Sequence, residues 1–159
     1  MFLTQAEALQ LAFPGASIER KTFFLTEAEQ KEAEKLSGGP LPSGLAVAYV
    51  ATKDGKIAGT AYFDTHVVRT QQETLLVAVD REGAVFRIEV LSFSEPEEYL
   101  PREHWYAQFQ GRKLDDELAL SRGIRAVSGA TLTARATTEA ARRVLALHAV
   151  LERRARKAA

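Results

Sequence analysis

The chain has no cysteine. That absence excludes disulfides, thiolate metal sites, iron–sulfur clusters and thiol catalysis. It leaves the compartment open, since cytosolic and exported chains alike can lack the residue. Long apolar runs are missing as well, and none approaches the roughly 20 residues of a membrane helix. The start, Met1-Phe2-Leu3-Thr4-Gln5-Ala6-Glu7, has no basic segment followed by an apolar one, so it does not read as a signal peptide. The chain as given is expected to be soluble. Phosphate and nucleophile fingerprints are also missing: no Gly-x-Ser-x-Gly, no Walker A, no Gly-x-Gly-x-x-Gly. Hydrolase, NTPase and Rossmann readings therefore have no support. The three histidines, His66, His104 and His148, show no metal-ligand spacing, and no metal site is expected. His148, near the end of the last helix, is expected to favour that helix's C-terminal dipole.

The 159 residues suit one domain of ordinary size, 1–159. It divides into a helix–strand–helix segment, 1–44, and a sheet with a final helix, 45–151. The apolar share of 46% and charged share of 26% are those of a globular protein. Net charge is zero, yet residues 122–159 hold nine Lys/Arg against two Glu, a local +7. The other residues sum to −7. No aromatic residue interleaves those arginines, as a stacking nucleic-acid surface would need, so no nucleic-acid partner is expected. A basic field at a helix start favours an anionic ligand instead.

Two capping boxes are legible. Thr4 with Glu7 opens a first helix that Pro14-Gly15 stops, and Thr26 with Glu29 opens a second that runs to Leu36. Ile18 to Leu25 reads as a strand between them. Leu45 to Thr52, Ile57 to Val68, Thr74 to Val79 and Val85 to Phe93 read as further strands, with Asp54-Gly55 a hairpin turn and Gly59 a bulge. In the last strand Phe86, Ile88 and Val90 make one apolar face, as in a sheet covered on one side. Arg102 to Gln110 predicts a short helix, and Leu114 to Leu120 another. The final helix carries Ala136, Ala140, Val144, Leu147 and Leu151 at helical spacing, and Arg153 to Ala159 is expected to fray. The expected fold is α+β: an antiparallel meander with N-terminal helices and a long C-terminal helix packed on the sheet.

The stretch Ser128-Gly129-Ala130-Thr131-Leu132-Thr133 opens that last helix. A helix start leaves amides without intrahelical partners and carries partial positive charge. Small residues let a ligand come close to that backbone, which suits a phosphate. The plain alternative is a cap made by Ser128 or Thr131. The string resembles the signature of the FMN-binding domain family, which includes the flavin-carrying subunits of the sodium-translocating NADH:quinone reductase and the Rnf electron-transport complex. A threonine at the position of Thr131 holds FMN there through a phosphoester bond made by a flavin transferase. The resemblance implies FMN as cofactor, with Ser128, Gly129, Ala130, Thr131, Leu132 and Thr133 around its phosphate. Ser94-Glu95-Pro96 resembles the family's flavin-side loop, which brings in Glu95. Phe109-Gln110-Gly111-Arg112 resembles a Phe-x-Gly-Lys element. One departure stands out: the motif's acidic residue, six positions before the threonine, is Arg125 here. A guanidinium there suits a free phosphate better than a phosphodiester.

Trp105 and Phe109 share a face of the short helix. They are either core residues or an apolar wall beside the flavin ring. The acidic groups Glu97, Glu98, Asp115, Asp116 and Glu117 read as solvated. Two functions follow. In the first, the domain relays electrons between a redox protein partner or a membrane electron-transport complex, extracytoplasmic or membrane-associated as in the resembled subunits. No nicotinamide fingerprint accompanies it, so it is a component and not a stand-alone enzyme. In the second, it is a flavin-free binding or scaffold module that keeps the fold.

Overall fold

The computed structural model describes residues 2–158; Met1 and Ala159, the ends of the expected domain, lie outside the described residues. Two helices begin by the same local chemistry. In α1, Gln5–Ala12, the Thr4 hydroxyl accepts from the Glu7 amide at 3.1 Å and the Glu7 carboxylate accepts from the Thr4 amide at 2.9 Å. In α2, Glu27–Ser37, Thr26 and Glu29 repeat the exchange at 3.1 and 2.8 Å. Each box satisfies two amides that a helix start otherwise leaves unpaired. Gly38 ends α2 in the left-handed region, at φ 85°.

Five strands form one antiparallel sheet in chain order: β1 Ser17–Phe24, β2 Leu45–Lys53, β3 Lys56–Val67, β4 Gln72–Val79 and β5 Val85–Phe93. Asp54 and Gly55 both take positive φ, 53° and 77°, as a two-residue hairpin turn requires. The β2–β3 register runs only from Tyr49↔Ala61 to Lys53↔Lys56. Beyond it β2 continues beside β1 and β3 beside β4, so the sheet splays. A cavity of about 330 Å³ opens there, lined by Leu41, Ala46, Tyr62 and Leu147 with Asp64 and Arg143.

The expected bulge is present. Ala51 faces Gly59 and Thr52 faces Ile57, which leaves Ala58 extra. Gly59 is required by close approach: a Cβ there would lie 2.6 Å from the Val79 carbonyl oxygen and 2.8 Å from the Phe13 ring.

A short helix, α3, spans Glu103–Tyr106, and the last helix, α4, spans Thr131–Ala158 and lies on one face of the sheet. Tyr62, Leu75, Val77, Val79, Val85 and Ile88 meet Ala134, Ala140, Ala141, Val144, Leu145 and Leu151 in that core. The opposite face is covered too, which corrects the one-sided sheet. Ala8, Leu9, Ala12 and Phe13 of α1 and its end pack on Ala51, Ala61, Leu76, Ala78 and Leu91. That is why β4 is apolar on both faces, with Leu75 to Val79 all buried. The even alternation expected in β5 is also broken. Register shifts leave Phe86 and Leu91 extra, so Ile88 and Val90 share the α4 face while Phe86 stacks on Phe13 at 5.7 Å.

Three further expectations change. Residues 114–120 form turns, not a helix, because the Asp115 and Leu118 carbonyls turn outward to accept from Arg142. The end of α4 does not fray before Ala158: Arg154 pairs with Glu29 and donates to the Phe24 carbonyl at 2.8 Å. The apolar stripe of α4 is wider than one row, because α2 packs beside it while the sheet lies below; Ala136 is only half-buried, and Thr137 and Ala146 are fully buried. Among the described residues no helix is long and apolar enough to cross a membrane.

The Gly59 contact sets a test. Gly59→Ala forces a methyl against a backbone carbonyl and should destabilise the fold by about 1–3 kcal/mol, read as a lower denaturant midpoint. An unchanged midpoint would show that β4 yields there without cost.

Candidate functional site

The start of α4 differs chemically from the starts of α1 and α2. Its N-cap position is Ala130, whose amide donates to the Val127 carbonyl at 3.1 Å and whose carbonyl accepts from Ala134 at 3.0 Å. Alanine has no side-chain acceptor. Neither Ser128 nor Thr131 caps the helix; the Thr131 hydroxyl donates backward to the Val127 carbonyl at 3.3 Å. Among the described residues the amides of Thr131, Leu132 and Thr133 have no hydrogen-bond partner. Gly129, at φ 82°, makes the turn that aims them outward. Nothing lies within 4 Å of a Cβ built on Gly129, so the requirement is one of backbone conformation.

Two clefts flank this turn and share Ala130. One, about 280 Å³, is lined by Arg69, Tyr99 and residues 129–133. The other, about 490 Å³, is lined by Arg102, His104, Trp105, Arg125 and Ser128, with Glu98 the one acid. Thr131 and Leu132 are exposed, Leu132 by 48%. Thr133 points the other way: buried, it donates to the Tyr99 carbonyl at 2.6 Å. That bond fixes the Glu95–Leu100 loop to the first turn of α4. Glu95, also buried, accepts from the Thr70 hydroxyl at 3.1 Å and joins the same loop to the β3–β4 turn. The turn carries Arg69, whose guanidinium sits 4.6 Å from the centre of the Tyr99 ring.

Trp105 is a core residue, only 5% exposed, edge-on to Tyr106 and Phe109. Its indole donates to the Arg125 carbonyl at 2.6 Å, while the Arg125 amide donates to Gln108 at 2.7 Å. Trp105 thus positions the approach to the signature turn, and its buried faces offer no open wall. The Arg125 side chain is exposed in the basic cleft.

Sequence reasoning missed Arg69 and Tyr99, which no motif marks. It also missed a buried charged chain on the α4 face of the sheet. Arg143 grips Asp64 with two hydrogen bonds, 2.8 and 3.1 Å. Asp64 bonds His66 at 2.8 Å, and His66 bonds Glu73 at 2.7 Å. The available signal was the alternation of Tyr62, Asp64 and His66 along β3, which puts three polar groups on one face. Burial depresses the His66 imidazole, but the hydrogen bonds and charges of Asp64 and Glu73 outweigh it and raise its pKa to about 9. Asp64 is disfavoured as an anion by burial, yet His66 and Arg143 hold it below the ordinary range. His148 is not at a solvated helix end. It is buried, with Nδ1 2.8 Å from the Tyr62 hydroxyl, and burial lowers its pKa. Among the described residues no group of three or more His, Cys, Asp and Glu could hold a metal.

A helix start with three free amides, a left-handed glycine and cations on both flanks fits a phosphate-bearing cofactor. The sequence matches the FMN-binding domain family over residues 42–146, and the chain belongs to that family. FMN is its cofactor by that membership. A solved structure, that of Shewanella oneidensis NqrC, shares the fold, with a TM-score of 0.58 at 16% identity, covering 94% of this chain and 91% of that one. No curated protein matches the sequence.

The His66 chain makes stability depend on pH. Its folded pKa, about 9, exceeds the ordinary 6.5. The stabilisation is therefore complete below about pH 6.5 and disappears as pH rises through 9, on the order of 3 kcal/mol in all. Denaturant unfolding from pH 6 to 10 should show that decline in the wild type and a flatter profile in His66→Gln. Equal profiles would remove His66 as the cause.

Proposed function

We propose that this chain is an FMN-carrying electron-transfer domain that relays electrons between redox partners. The observation that carries it is the uncapped start of α4. The free amides of Thr131, Leu132 and Thr133 face a cleft with Arg69 on one side and Arg125 and Arg102 on the other. In this reading Gly129, Ala130 and those amides hold the FMN phosphate, and Arg69 and Arg125 neutralise it. Bound there, FMN supplies the redox chemistry; the protein supplies position, charge and exclusion of water. Glu95 and Trp105 act one step back: Glu95 ties the loop of Tyr99 to the turn of Arg69, and Trp105 holds the backbone of Arg125. The resemblance of the signature to the flavin-carrying subunits of the sodium-translocating NADH:quinone reductase supports a partner in a membrane electron-transport complex and a place at a membrane surface.

The phosphate reading predicts that added FMN quenches its own fluorescence on binding the wild-type chain. Gly129→Val places a branched residue at positive φ, in the path of the ligand. It should weaken FMN binding by roughly tenfold or more, about the value of one charge-assisted hydrogen bond. Unchanged affinity would move the phosphate elsewhere. A wild-type chain with no flavin affinity would favour the scaffold module.

Thr131 is the acceptor if a flavin transferase acts on this chain, since its hydroxyl is exposed at the turn. Arg125, where the motif has an acid, favours reversible binding in its place. Intact mass after co-expression with a transferase should show little added FMN in the wild type and more in Arg125→Asp. Thr131→Ala should abolish the gain in either background. A flavinylated Thr131→Ala chain would refute the assignment.

A further inference from the structure

Many guanidiniums of this chain are used inside it. Arg87 pairs with Glu89, Arg143 with Asp64, Arg153 with Glu32 and Arg154 with Glu29. Arg112 and Arg142 donate to backbone carbonyls. Around the start of α4 that pattern stops. Among the described residues, Arg69, Arg102, Arg125 and Arg135 make no salt bridge. All four are exposed. Arg69 lines the smaller cleft beside the signature turn, and Arg102 and Arg125 line the larger one. Arg135 follows Thr131 by four residues and Leu132 by three, so it shares their outer face of the helix. Glu98 is the one acid lining either cleft, and it too is exposed and makes no ion pair.

The far end of α4 is balanced by comparison. There Arg81 and Arg156 share a cleft of about 260 Å³ with Glu82 and Glu152. Like charges gathered without counter-ions repel one another and oppose the compact state. A bound phosphate relieves only part of that repulsion. A phosphate monoester carries a charge of about −1.5 to −2 at neutral pH. In the function proposed above Arg69 and Arg125 match it, which leaves Arg102 and Arg135. Leu132, 48% exposed, lines the cleft of Arg69 and lies on the helix face of Arg135. An exposed apolar side chain with cations around it has the layout of an interface, with an apolar centre and a charged rim.

We propose that the face carrying Arg69, Arg102, Arg125 and Arg135 around Leu132 docks an acidic surface of a protein partner. Carboxylates on side chains enter the two clefts, which are concave. A flat lipid surface would meet only their rims, and insertion into it needs a longer apolar face than one leucine. A nucleic acid needs open aromatic faces, whereas Trp105 is buried and Arg69 lies over the Tyr99 ring. Opposite charge speeds the encounter and orients the partner, so it arrives with its acids against the first turn of α4. That the partner exchanges electrons there rests on the function proposed above; the docking itself does not.

The test uses the full chain, with and without FMN, and a dye-labelled peptide of six glutamates around one leucine. Fluorescence anisotropy should show binding that weakens as salt is raised, since exposed charges are screened. Arg102→Glu and Arg135→Glu should each weaken it by roughly fivefold. Arg81→Glu, at the balanced end, should leave it unchanged. No binding, or an equal loss in Arg81→Glu, would overturn the proposal. Amide NMR shifts of the wild type on adding the peptide decide the face without any variant. Shifts centred on residues 99–102 and 125–135 support it, and shifts centred elsewhere overturn it. Vesicles of anionic phospholipid and a short single-stranded DNA serve as rival probes. Tighter binding of either one, lost in the same two variants, would overturn the choice of a protein. Peptide binding by a chain that takes up no FMN would leave the docking face standing and refute only the flavin reading.

Discussion

The place where α4 begins depends on how firmly the rest of α4 is held. Its anchors are polar and recur along its length. Thr133 bonds the Tyr99 carbonyl, Arg143 grips Asp64, and His148 meets Tyr62. On the outer side, Arg142 donates to the Leu36 and Ser37 carbonyls at the end of α2 and to Asp115 and Leu118. Arg154 pairs with Glu29 near the other end of α2. Apolar burial supplies the driving force for docking the helix but specifies its register weakly. Each of these polar anchors, by contrast, meets its partner in only one register, and a slip of one residue would strand several of them. Those contacts hold Gly129 and the free amides in place between the two clefts.

The structure treats its three main helix starts unequally. α1 and α2 are sealed by complete capping boxes, whereas α4 opens on an alanine with unpaired amides. Replacing a good N-cap by alanine costs about 1 kcal/mol. The helix tolerates that loss because α2 and the sheet stabilise it over twenty-eight residues. In the function proposed above, the phosphate of the cofactor takes the place that a capping side chain would otherwise fill. The surrounding cations are spread over three segments, Arg69 on the β3–β4 turn, Arg102 before α3 and Arg125 before the signature, so they meet only in the folded chain.

The sheet beneath α4 is not uniformly apolar. Its centre is, through Leu75, Val77 and Val79, but the end nearer the signature turn holds Asp64, His66 and Glu73. With Arg143 and a protonated His66 the four charges cancel, which lowers the cost of burying them. Neutrality of that set is conditional on a proton on His66, so the end of the sheet nearest the signature turn is also the part whose charge responds to pH.

Local chemistry was legible in the chain itself. Thr4 with Glu7, Thr26 with Glu29, the Asp54-Gly55 turn and the Gly59 bulge all stand where short-range rules place them, since each needs only neighbours within a few residues. The signature turn and the antiparallel order of the strands were equally readable. Periodicity tells which residues share a face but not what covers that face. So α1 on the far side of β4, the turns at residues 114–120 and the ordered end of α4 emerged only from packing. The same limit applies to the site. Ser128 to Thr133 could be put forward as candidates from sequence because they are contiguous. Arg69 over Tyr99, Trp105 bonded to the Arg125 carbonyl, and the pairing of His66 with Glu73 join residues far apart in the chain or on different strands. Loop approach and strand register decide such contacts, and these are properties of the whole fold.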